Sequence, residues 1–181
     1  MKKALFLLLL ITSACKTSTL APDQAIEKLG PNPHMQIDDK ALASPAEVQN
    51  YDAKDIASVE TIYGRNATAI FGDKAKDGAV VIVTKSYARE KYRTFFSSVS
   101  KEYNEVIDEV NEDDIQYILN DNVLVNDFEG DLSTINKKRL KKITIINQAE
   151  LESKYGTIDK KVGVVISATP PANLHNAKKK F

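Results

Sequence analysis

The feature that most constrains this chain is that its second half repeats its first. Asp55–Lys85, DIASVETIYGRNATAIFGDKAKDGAVVIVTK, aligns without a gap with Arg139–Thr169, RLKKITIINQAELESKYGTIDKKVGVVISAT, at an offset of 84 residues. Ile56 matches Leu140, Val59 matches Ile143 and Ile62 matches Ile146. Phe71–Gly72 matches Tyr155–Gly156, and Val80–Val81–Ile82 matches Val164–Val165–Ile166. Upstream, MQIDDKAL (35–42) matches YILNDNVL (117–124) at an offset of 82, which requires a two-residue insertion. The matched positions are the apolar ones and one glycine, while the surface positions differ. A shared core demands that pattern and shared chemistry does not, so the repeat is one of architecture and not of active sites.

Each copy reads as strand, short helix, strand, short helix, strand, which makes the chain an α+β protein of two small units. In the first copy Met35–Leu42 reads as a strand and turn, with Asp38 and Asp39 at the turn. Ala46–Val48 reads as helical, and Asp55 as the cap of a short turn. Val59, Thr61 and Tyr63 alternate with Glu60 and Ile62 as a β-strand does. Asn66–Phe71 reads as a helical turn closed by Gly72, and the β-branched run Ala79–Thr84 as a strand buried on both faces. Between the copies, residues 86 to about 110 form the clearest helix. Its Tyr92, Phe95, Phe96, Val99, Tyr103, Val106, Ile107 and Val110 recur at spacings of three and four, and Ser86 is the expected N-cap. Such an aromatic stripe is more often core packing than a partner groove. The cluster Glu112, Asp113, Asp114 is expected in an exposed loop. Units of roughly 50 residues bury little alone, so unit 1 (34–85) and unit 2 (112–169) should pack together, directly or through the connecting helix (86–111).

The ends speak to compartment. Lys2 and Lys3 precede the uncharged apolar run Ala4–Ala14, which is shorter than the roughly 20 residues that span a membrane. With Ser13 and Ala14 before it, the lone cysteine, Cys15, stands at the end of a secretory signal, residues 1–14. A single cysteine offers no intramolecular disulfide. ITSAC resembles a bacterial lipobox, with Thr12 where the common pattern has Leu, and this implies acylation of Cys15 and a lipid anchor. Residues 15–33, with Pro22, Gly30, Pro31 and Pro33, read as a tether containing a short helix at Asp23–Leu29. Residues 170–181 form a basic tail ending in Lys178, Lys179, Lys180 and Phe181, either solvated or touching anionic headgroups. The charges balance at 25 against 25, and loss of Lys2 and Lys3 with the signal leaves a slight acidic excess, which argues against nucleic acid as a partner.

The first unit also carries a recognisable pattern. Val59–Ile62, Ala67–Gly72 and Gly78–Lys85 resemble the closing strand, helix and strand of the TonB-dependent receptor plug domain. MQIDDKAL and YILNDNVL are similar to an earlier strand of that family. Family plugs sit inside a barrel of about 22 strands, which this chain has no residues to build, and no TonB-box segment follows Cys15. The second unit replaces Asn66 and Ala67 with Glu150 and Leu151, and has Val162 and Gly163 where the first has Gly78 and Ala79. The resemblance implies a plug-like fold in a stand-alone envelope lipoprotein. Its expected partners are a membrane, reached through the lipid, and a TonB-dependent receptor or another envelope protein.

Other constellations carry less. GDKAKDG (72–78) lacks the ligand spacing and distal Glu of a calcium loop and reads as a solvated turn. Gly64–Arg65–Asn66 before a helix reads as turn and cap rather than an anion site. His34, at the tether, and His175, in the tail, do not make a metal pair or catalytic dyad. No catalytic residue, metal ligand or cofactor is expected, and no ligand-binding residue is singled out. The functional expectation is a non-enzymatic protein- or ligand-binding module of the envelope, associated with TonB-dependent nutrient uptake. The alternatives are an assembly lipoprotein without a ligand, or a hydrolase using surface carboxylates. A deep apolar pocket between the units would favour ligand binding, and a filled interface would favour assembly.

Overall fold

The computed structural model describes residues 29–156 and 159–169. The signal segment 1–14, Cys15, most of the tether, His175 and the basic tail lie outside the described residues. The fold is α+β, with two similar four-stranded mixed sheets. The first contains β1 (His34–Ile37), β2 (Lys40–Ala41), β3 (Ile56–Ile62) and β4 (Ala79–Thr84), in the order β2-β1-β4-β3. Helix α1 (Gly64–Phe71) lies between β3 and β4. Two helices, α2 (Lys85–Val99) and α3 (Lys101–Glu109), follow. The second sheet contains β5 (Ile115–Leu119), β6 (Asn122–Val123), β7 (Leu140–Asn147) and β8 (Val162–Ala168), in the equivalent order β6-β5-β8-β7. It is completed by α4 (Glu129–Ser133) and α5 (Gln148–Tyr155). Among the described residues, no helix is long and apolar enough to cross a membrane.

Strand register reproduces the repeat residue by residue. Ile37 and Val59 both pair with Ile82 across parallel and antiparallel ladders, and Leu119 and Ile143 both pair with Ile166. The irregularity between Ile56 and Ser58 recurs between Leu140 and Lys142. Each sheet opens with a hairpin whose two turn residues have positive φ, Asp38 (50°) and Asp39 (63°) in one, Asn120 (47°) and Asp121 (65°) in the other. Asn and Asp tolerate that region better than most residues, and it is the region a two-residue type I′ hairpin turn requires.

The first turn residue also clamps the neighbouring strand. Asp38 accepts from the Thr84 backbone N–H and hydroxyl, both at 2.8 Å. Asn120 accepts from the Ala168 N–H and donates to the Ala168 carbonyl, both at 2.9 Å. In unit 1 the clamp continues into the connection: Thr84 N-caps α2 through the Tyr87 N–H at 3.2 Å, and the Tyr87 hydroxyl donates to Asp39.

Several expectations are corrected. The single connecting helix is two helices, because Ser100 adopts an extended conformation and its hydroxyl accepts from the Tyr103 N–H, capping α3. The α2 cap is Thr84 instead of Ser86. Asp52, not Asp55, caps the short 3-10 turn Ala53–Asp55. The helical piece after the first hairpin is a 3-10 helix, Pro45–Asn50, closed by a Ser44–Glu47 capping box. His34 is the first residue of β1, paired with Ala79, and not part of a tether.

The largest core lies between α2–α3 and the second sheet. Tyr92, Phe96 and Tyr103 from the helices meet Tyr117, Leu119, Val164 and Ile166 from the strands. Phe96 and Tyr103 pack edge-to-face with centroids 5.5 Å apart, as do Tyr92 and Tyr117 at 5.6 Å. On the same face of the first sheet, Ile37, Val80 and Ile82 pack with Met35 and Ile56 of the sheet itself and are covered by Leu29, Leu42 and Val48. The units meet where Gly130 of α4 approaches β3. A Cβ on Gly130 would lie 2.7 Å from the Ala57 carbonyl oxygen, so only glycine permits this contact.

Candidate functional site

The sequence nominates one site residue, Cys15, and it lies outside the described residues. The aromatic stripe is core: Tyr92, Phe96 and Tyr103 are buried, as the periodicity predicts. The Tyr103 and Tyr117 hydroxyls share a 2.9 Å hydrogen bond inside it. Burial above all raises the pKa of Tyr92, Tyr103 and Tyr117, which keeps all three neutral.

Beside this core, an ionic cluster joins the connection to unit 2. Arg89 reaches Glu112 at 2.9 Å and Glu129 at 3.1 Å, and Arg93 reaches Glu112 at 3.5 Å. Lys85 reaches Asp127 at 2.6 Å. The acidic run is exposed at Glu112 and Asp113, as expected, but it is built into ion pairs and is not an irregular loop. It forms a 3-10 turn, Glu112–Asp114, whose Asp114 also holds Lys161 at 2.7 Å. With cations matched to Glu112, Asp114, Asp127 and Glu129, these groups act as a brace.

The segment 72–78 is likewise structural. Gly72–Ala75 is a 3-10 turn, and Asp77 receives the incoming chain through the Gly30 N–H at 2.9 Å and the Asn32 N–H at 3.2 Å. The Gly64–Arg65–Asn66 segment opens α1, with no side-chain cap. His34 lies 4.9 Å from the Phe71 ring, and burial, then Lys74, lowers its pKa. Among the described residues, no group of three or more His, Cys, Asp and Glu could hold a metal ion.

Two surface features remain. The first is apolar exposure concentrated in unit 1: Tyr51, Val59, Tyr63 and Ile70 are exposed there, against Val99 and Val125 elsewhere. Val59, 49% exposed, lies on β3, an edge strand with one hydrogen-bonded neighbour. The second is the run Lys137, Lys138, Arg139, Lys141, Lys142 at the start of the other long edge strand, β7. Matching the repeat by its apolar positions passes over this run. Its composition alone, five cations in six residues, is the signal that finds it.

A depression of about 290 Å³ lies on the outer face of α2, between Tyr87, Lys91, Phe95 and Ser98. It is not between the units, where Gly130 fills the approach to Ala57.

Comparison with family models, with curated proteins and with solved structures finds no match. The class defined by the fold is an α+β protein built from two similar sheet units.

Proposed function

We propose that this chain is a non-enzymatic envelope lipoprotein, anchored through acylated Cys15, whose plug-like unit 1 docks a TonB-dependent receptor. The observation that carries the reading is the exposed apolar set around the β3 edge, with Val59 49% and Tyr63 39% exposed. An edge strand offers unpaired backbone groups to an added strand, and exposed apolar side chains beside it supply the area that affinity needs. The plug-like pattern of Val59–Ile62, Ala67–Gly72 and Gly78–Lys85 supports the choice of partner. The filled contact at Gly130 favours a protein partner over a small ligand held between the units.

The test places a photo-crosslinking amino acid at Val59 or Tyr63 of the full chain in native membranes, with the more exposed Val125 as the control in unit 2. The expected result is a crosslink to a TonB-dependent receptor from unit 1 positions only. Equal capture from Val125, or no receptor from either, overturns the docking claim. Intact mass from the same membranes should show a chain that begins at acylated Cys15, and an unmodified or absent Cys15 removes the anchor.

A further inference from the structure

We propose that Lys137, Lys138, Arg139, Lys141 and Lys142 form a docking surface for anionic lipid headgroups. The five cations fall within six residues of a chain that has 25 basic and 25 acidic residues in all, so the positive potential is local. The four lysines are exposed and Arg139 is half-buried. Among the described residues, the carboxylate ion pairs within 4.0 Å involve other cations and leave these five unpaired.

The backbone holds the run in one place. Asn136 accepts from the Lys138 N–H through its side chain at 3.0 Å, and from the Arg139 and Leu140 N–H groups through its carbonyl, both at 2.9 Å. The irregularity between Leu140 and Lys142 then leaves Lys141 as the extra residue of the strand. Both Lys141 and Lys142 stay exposed, where strict alternation would have turned one of them inward.

The repeat supplies an internal control. The equivalent unit 1 positions are Ala53, Lys54, Asp55, Ala57 and Ser58. There Lys54 is paired with Asp52 at 2.9 Å, and the Ala57 backbone is covered by Gly130. The start of this edge is balanced in charge and covered at Ala57 in one copy, and in the other it is cationic with its lysines exposed. Lysines on an edge strand discourage unwanted pairing, but Lys137 and Lys138 precede the strand, and that role does not account for them. The Thr169 N–H donates to the Arg139 carbonyl at 2.9 Å. Thr169 is therefore held beside the same patch.

The choice of lipid over other polyanions rests on the envelope reading above: an anchored chain spends its time beside headgroups. Each basic residue near such a surface strengthens binding by about fivefold, and salt screens the effect. The test reconstitutes the full chain into vesicles of phosphatidylcholine, alone or with roughly a quarter phosphatidylglycerol. Amide exchange across 136–142 is then read by mass spectrometry. Exchange should slow at least about tenfold with phosphatidylglycerol and recover in about 0.5 M NaCl. It should also recover in the K137Q/K138Q/K141Q/K142Q variant, while the corresponding Lys→Arg variant keeps the protection. Equal exchange on the two vesicles, protection that survives salt, or equal protection by an added oligonucleotide overturns the proposal. Flotation separates the two readings. A chain that floats without protection at 136–142 keeps the envelope reading and loses this surface. A chain that does not float loses the envelope reading, while slower exchange on adding anionic vesicles still supports the surface.

Discussion

The two sheets share strand order, register and hairpin turns, but their faces are closed in different ways. The second sheet receives a layer of aromatic side chains from α2 and α3, including Tyr92, Phe96 and Tyr103. The first receives only short segments, among them Val48 of a 3-10 helix and Leu42 beyond the hairpin. On the opposite faces the volumes are exchanged within one pair of positions. Unit 1 packs Ala67 of α1 near Ala79 of β4, and unit 2 packs Leu151 of α5 against Gly163 of β8. A Cβ on Gly163 would lie 2.9 Å from Leu151 Cδ1 and 2.6 Å from Ile146 Cγ1. The glycine that looks displaced in the sequence alignment is thus the space that a larger helix residue fills. A duplicated scaffold has kept its backbone while one copy took the stabilising layer and the other kept apolar groups at the surface.

The sharpest way to break that contrast is to remove one member of the aromatic layer. Phe96 is fully buried, and Phe96→Ala should cost about 3–5 kcal/mol through lost contacts and a residual cavity. Val48→Ala, in the half-buried cover of the first sheet, should cost about 1 kcal/mol or less, because the site is open enough to relax. Urea midpoints of the two variants measure this. Equal shifts would mean that the two faces contribute alike and that the two units are not specialised.

The exchanged volumes predict a smaller, coupled effect. Gly163→Ala forces Leu151 and Ile146 aside and should cost about 1–3 kcal/mol. Leu151→Ala leaves a cavity of its own. Together they recreate the Ala–Ala pairing of unit 1, so the double variant should lose less than the sum of the singles, by about 1 kcal/mol or more. Strict additivity in a double-mutant cycle read by denaturant unfolding would show that the two positions do not share one space.

Much of this was legible in residues whose physical demands are local. β-branched runs marked β4 and β8, Gly72 marked the end of α1, and the aspartates marked the first hairpin turn. The offsets of 84 and 82 carry through to strand register. What was not legible depended on competition between near-equal alternatives. Ser100 could stay in a helix or cap the next one, and its apolar neighbours keep helical spacing either way, so periodicity is blind to the break. The strands β2 and β6 have two residues each, too few for alternation to register. A short helix was expected where α4 lies, but its bounds were not legible, because its fixing contact, Gly130 against Ala57, joins residues far apart in the chain. The candidate site divides in the same way. Cys15 and the basic run can be read as composition. The exposure of Val59 depends on which elements cover the first sheet, and only the assembled fold decides that.

The gentlest probe of the comparison is alkaline pH, because it acts on the second core without altering a residue. Of the seven tyrosines, Tyr92, Tyr103 and Tyr117 are buried between α2–α3 and the second sheet. Burial raises the pKa of each above its ordinary value. A group whose folded pKa lies above its unfolded value stabilises the fold fully below the unfolded value, about 10 for tyrosine, and loses that contribution as pH rises toward the folded value. The urea midpoint should therefore hold steady to about pH 9.5 and fall progressively beyond it. Held to about pH 10, the loss from the three should total about 1 kcal/mol, smaller than that of Phe96→Ala. Tyr87, at the junction with unit 1, is pushed up to about 12 chiefly by its hydrogen bond to Asp39. It should still be neutral in that range. Absorbance at 295 nm (a wavelength that reports phenolate) checks the assignment: phenolate from the buried three should appear only with unfolding. If all the tyrosines ionise near pH 10 while the midpoint stays fixed, the aromatic layer is open to water, and the second unit has no tighter core than the first.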